Sequence, residues 1–77
     1  MVTTETTLSK DTYAAYKRIP LFWWDEDVVK QEIAAHTGQS LASVSRRLGR
    51  LWTLGLVEFR ETGKSMPARE IRKTAQP

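Results

Sequence analysis

The chain has 77 residues, with 12 Lys and Arg against 9 Asp and Glu, one histidine and no cysteine, for a formal net charge of +3. That length holds one domain with a small core, and the residue types exclude disulfides, thiolate metal sites and a zinc set. No apolar run approaches the roughly 20 residues of a membrane span and no basic-then-apolar leader opens the chain, so a soluble cytoplasmic protein with no metal and no cofactor is expected.

Residues 1–8 offer few bulky apolar side chains and read as a flexible tail. Ser9 or Asp11 can cap a first helix running through Arg18, with Lys17 and Arg18 in its last turn, where cations suit the helix dipole. Tyr13, Ala14 and Tyr16 give this helix a modest apolar side. Pro20 disfavours helix at Ile19 and ends the element. Leu21-Phe22-Trp23-Trp24 then reads as a strand or extended chain, the alternative being a bent continuation of the first helix. Neighbouring side chains of a strand face opposite sides, so Trp23 and Trp24 cannot both point inward. Either one of them meets a partner, commonly a second copy, or the first helix folds over it. Tyr13, Tyr16, Phe22, Trp23 and Trp24 are therefore the candidate contact with a second copy or another protein.

Asp25-Glu26-Asp27 puts acids at the start of a second helix, where they cap it and complement its dipole. A metal site is the weaker reading, because no further ligand lies near in sequence. The helix continues to His36, burying Val29 and Ile33 and turning Ala34 toward the next helix. His36 reads as a packing or boundary residue rather than a switch. Thr37-Gly38-Gln39 makes a tight turn, and a third helix starts at Ser40 and stops at Gly55. At about 100° per residue, Leu41, Val44, Leu48, Leu51 and Trp52 fall within one arc of about 100°, a core-facing stripe. Opposite lie Ala42, Ser43, Arg46 and Arg50, with Arg47 on the border. No acid occurs between Thr37 and Val57, whereas a merely solvated face mixes signs. Small residues let a helix approach a groove wall, and arginine reaches phosphates or forks onto the O6 and N7 of guanine.

After Gly55, Val57 and Phe59 alternate with Glu58 and Arg60 in the period of a half-buried strand. Residues 61–67 form a loop turned at Gly63, and Ala68–Lys73 returns as a second strand with Ile71 inward. Residues 74–77 read as a flexible end. Lys64 at the hairpin tip, with Arg69 and Arg72 on its arms, is placed to touch phosphates or a minor groove. The plainer reading is that an edge hairpin carries cations to stay soluble. Charge is polarised along the chain: residues 25–36 carry four acids against Lys30, whereas residues 60–77 carry five cations against two acids. Such a map suits a polyanion on one side.

Two helices joined by a short glycine-containing turn form a helix-turn-helix. The stretch from Glu32 to Leu48, followed by Leu54-Gly55-Leu56-Val57, resembles the winged helix-turn-helix DNA-binding domains of small bacterial, phage and plasmid-type regulators. Ala34 matches that family's small residue where the two helices pack, and Gly38 its turn glycine. Val44 and Leu48 match its buried positions on the recognition helix, and Leu54 to Val57 its exit into the first wing strand. The resemblance covers about residues 27 to 73. It implies an α+β fold, mainly α, of three helices and a C-terminal β-hairpin wing, in a single domain over residues 9–73. It also implies double-stranded DNA as partner, with the recognition helix in the major groove by its N-terminal half. Gln39, Ser40, Ala42, Ser43 and Arg46 then lie nearest the bases. Arg47 and Arg50 lie further along, toward phosphates, and Lys64, Arg69 and Arg72 hold the flank.

Nothing in the sequence supplies a phosphate-cradling glycine loop or a paired-carboxylate site, so no enzyme is expected. The function implied is that of a small, nucleoid-associated transcriptional regulator. The alternatives are a DNA architectural, recombination-accessory or plasmid-maintenance protein of a mobile element, and a winged helix used as a protein-interaction module.

Overall fold

Residues 8–65 and 68–74 are described by the structure, a computed structural model. The expected tail over 1–7, Met66 and Pro67 of the loop, and the end over 75–77 lie outside the described residues. In chain order come α1 (Lys10–Lys17), β1 (Trp24–Asp25), α2 (Glu26–Thr37), α3 (Leu41–Thr53), β2 (Val57–Glu61) and β3 (Arg69–Lys73). The fold is a small, mainly helical α+β arrangement with one antiparallel sheet of order β1-β3-β2. Its register pairs Ile71 with Trp24 on one side and with Phe59 on the other.

Each helix starts where a short polar side chain satisfies an orphan backbone donor. Ser9 Oγ accepts from the Thr12 N–H at 3.1 Å, Asp25 from Asp27 at 2.8 Å and Ser40 from Ser43 at 3.1 Å. The ends of α2 and α3 are set by left-handed glycines, a conformation open to residues without a Cβ. Gly38 (φ 74) donates its N–H to the Ala34 carbonyl at 2.9 Å and so turns the chain from α2 to α3. At the end of α3, Gly55 (φ 77) donates to Trp52 O and Leu56 donates to Leu51 O, each at 2.9 Å. This paired closure is a Schellman motif, and it aims the chain into β2.

The core joins Ala15 and Ile19 to Val29 and Ile33 of α2, Val44, Leu48 and Leu51 of α3, and Val57 and Ile71 of the sheet. Four expectations need correction. The apolar stripe of α3 is narrower than its angular pattern suggests: Leu41 is 51% and Trp52 60% exposed, because both lie on a flank that no other element covers. α1 buries Thr12 and Ala15 rather than Tyr13, which stays exposed, while Ala14 and Tyr16 are half-buried. The strand expected over Leu21–Trp24 shrinks to Trp24–Asp25. The chain bends at Leu21 and Phe22, and only Trp24 and Asp25 come into register with β3. Two residues expected in loose ends are held in place. Leu8 packs on the core, and Thr74 donates its N–H to Leu56 O at 3.1 Å and its hydroxyl to Gly55 O at 2.9 Å. Among the described residues no helix is long and apolar enough to cross a membrane.

Candidate nucleic-acid interface

The side of α3 opposite Val44, Leu48 and Leu51 forms an exposed crest of Ala42, Arg46, Gly49 and Arg50. Arg46 and Arg50 make no hydrogen bond or ion pair among the described residues. Like charges four apart on a helix destabilise it by about 0.2–0.5 kcal/mol, and among the described residues this pair is left uncompensated. Ser40 is occupied as the N-cap. Ser43 is half-buried and donates its hydroxyl to Gln39 Oε1 at 3.5 Å. Ser45 and Gly49, which the sequence reading did not single out, also lie exposed beside Arg46. Their only sequence signal was small size next to an exposed arginine.

Gln39 and Arg47 stand apart from the other expected contacts. Arg47 donates from Nε to Gln39 Oε1 at 2.7 Å, from Nη1 to Thr12 Oγ1 at 3.2 Å and from Nη2 to Asp11 at 3.4 Å. Gln39 Nε2 donates to the Asp11 carbonyl at 3.3 Å. Together they brace the start and middle of α3 against α1. Arg46, Arg47 and Arg50 line one shallow cleft of about 350 Å³ with Ser9 and Thr12, beside the N-terminus of α1, whose dipole is positive there.

The hairpin cations divide. Lys64 is exposed near the turn. Arg69 folds back along the surface onto α2, donating to both oxygens of Glu26 at 2.9 and 2.7 Å and stacking over Phe59 at 4.3 Å. Lys30 approaches the same carboxylate at 3.4 Å. The Arg69 hydrogen bonds hold the Glu26 carboxyl below the usual carboxylate range, outweighing its burial, which pushes the other way; the Lys30 charge adds to the lowering. Reciprocally, the bond to Glu26 raises Arg69 above its ordinary value. Arg72 donates to Glu58 at 2.8 Å, and Arg60 to Glu70 at 2.8 Å. Both guanidinium groups also sit over the Trp23 ring, at 4.5 and 4.6 Å. Trp23 is thus covered by the hairpin's arginines, not by α1.

The five aromatic candidates do not form one surface. Phe22 and Trp24 approach each other, with ring centroids 6.0 Å apart. Tyr13 lies beneath Lys17 and Tyr16 beneath Lys73. His36 is exposed on α2 beside Glu32, at 3.3 Å. Asp25 caps α2 while Glu26 serves Arg69, and among the described residues no three metal-ligating side chains gather. No family model matches the chain, and no curated protein or solved structure matches it either.

Proposed function

We propose that the chain is a winged helix-turn-helix protein that binds double-stranded DNA, serving as a small transcriptional regulator rather than an enzyme. One observation carries the reading: Arg46 and Arg50 stand exposed, unpaired among the described residues and one turn apart on a helix crest otherwise built from small residues. A polyanion offers this crest the counter-charge that the described residues do not supply. A major groove admits a helix of this kind, and Arg46 beside Ala42 and Ser45 is placed to reach base edges while Arg50 takes a phosphate. Lys64 on the hairpin is the remaining expected contact on the flank. Fluorescence anisotropy of labelled duplex DNA tests the reading. Binding should be clear at low salt and weaken steeply as salt rises, because phosphate contacts release counterions. Absence of binding at low salt would overturn it.

A second reading concerns a protein partner. Leu21, Phe22 and Trp24 are 71%, 62% and 39% exposed around one bend, an apolar group of the kind that marks contacts between chains. It assigns this patch to a second copy, which suits binding at two-fold sites. Sedimentation at rising concentration should show a dimer that Phe22→Ala/Trp24→Ala disrupts. A monomer throughout would dismiss it.

A further inference from the structure

α3 carries two features that nothing among the described residues uses. Gly49 lies within the helix, is exposed, and lacks the positive φ of Gly38, Gly55 and Gly63. A Cβ built there meets nothing within 4 Å. Glycine in a helix interior is less favourable than alanine, and here neither backbone conformation nor internal packing calls for it. Three residues on, Trp52 is 60% exposed. Both residues line a single cleft of about 470 Å³, walled by α3 on one side and by Phe59 and Arg60 of β2 on the other, with Lys30 also in its lining.

We propose that this cleft seats one backbone strand of duplex DNA, with a deoxyribose face against Trp52 and the adjoining phosphate passing close over Gly49. The inference rests on the DNA reading of the α3 crest and adds where the second wall of the bound groove lies. Continuity favours this occupant, since Gly49 adjoins Arg50 in sequence and lies one turn from Arg46. Charge does not oppose it: Lys30, Arg60 and Arg69 line the cleft against Glu26 and Glu61, with Arg69 and Lys30 engaged by Glu26 and Arg60 by Glu70. An indole presents an apolar face to a sugar and an N–H donor to a phosphate oxygen. A methyl at position 49 has room within the protein and would obstruct only something outside it.

Gly49→Ala and Trp52→Ala test the proposal on the intact chain, by thermal unfolding and by anisotropy with the same duplex at several salt concentrations. Gly49→Ala should raise Tm by about 4–8 °C, yet weaken DNA binding by about tenfold. Trp52→Ala should weaken binding similarly. In both, the slope of log K against log salt should match wild type, because no charge is lost. If both variants bind DNA as wild type does, the proposal falls while the DNA reading of the crest stands. The raised Tm of Gly49→Ala excludes misfolding as the reason for weak binding. If wild type fails to bind DNA at all, both fall. If the variants abolish self-association and leave DNA binding intact, the cleft belongs to a second copy and the proposal is overturned.

Discussion

Glu26→Gln measures what ties the hairpin to the helices. The Glu26 residue is 8% exposed and its carboxylate receives Arg69 at 2.9 and 2.7 Å and Lys30 at 3.4 Å. A hydrogen bond to a charged group contributes about 1.5–3 kcal/mol net. Here two run in parallel from one guanidinium, and the Arg69 side chain, 45% exposed, can hydrate once released. The expected cost is therefore nearer one such bond than two, about 2 kcal/mol. For a domain of this size that lowers Tm by about 10 °C. The folded-state pKa of Glu26 is depressed below 4.5. Its stabilisation is thus complete above that value and lost as pH falls through the folded-state pKa. Glutamine does not titrate, so wild type and variant should converge in acid. Thermal melts followed by circular dichroism at neutral pH and at about pH 2.5 read both effects. Equal melting temperatures at neutral pH, or a gap that persists undiminished in acid, would refute the assignment.

The arginines of α3 should separate into two classes. Arg46→Ala and Arg50→Ala should leave Tm unchanged or slightly raised, since each relieves a repulsion of about 0.2–0.5 kcal/mol. Each arginine that contacts a phosphate should also contribute about 0.9 to the salt slope, which its alanine variant loses. Arg46→Ala should further cost more affinity on a selected site than on random duplex; equal losses would make Arg46 a phosphate contact alone. Arg47→Ala should instead destabilise by about 1–2 kcal/mol through loss of its bonds to Gln39, Thr12 and Asp11, and a variant as stable as wild type would remove the brace. Ser40→Ala should cost about 1 kcal/mol, seen as a lower urea midpoint at constant m-value. An unmoved midpoint would show that the Ser43 N–H is as well served by water.

Local signals in the chain were readable because their causes are local. Gly38 and Gly55 end helices through their own backbone conformation, Ser40 caps α3 through a residue three positions on, and Ile71 faces inward by strand alternation. The misplaced residues depend on partners far away in sequence. Arg69 reads as a free cation until Glu26, from the start of α2, is brought against it. Gln39 and Arg47 read as groove contacts until α1 delivers Asp11 and Thr12. Angular position groups Trp52 with Leu48, yet only the placement of α2 and the hairpin decides which of them is covered. The Trp23 and Trp24 conflict was visible as a rule of strand geometry. Its resolution, two guanidinium groups over Trp23, required the register of β3.

The sheet order β1-β3-β2 places the last element of the described chain between the other two strands. β1 has no strand partner until β3 arrives, and the backbone at Pro20 likewise waits for the Lys73 N–H that reaches its carbonyl at 2.8 Å. β2 pairs with β3 across a short hairpin, whereas β1 pairs with it across most of the chain, Trp24 against Ile71, the long-range kind of contact that slows folding. Residues 69–73 therefore act as the keystone of the sheet: both β1 and β2 are bonded to them, so a change that unseats β3 would release both neighbours at once.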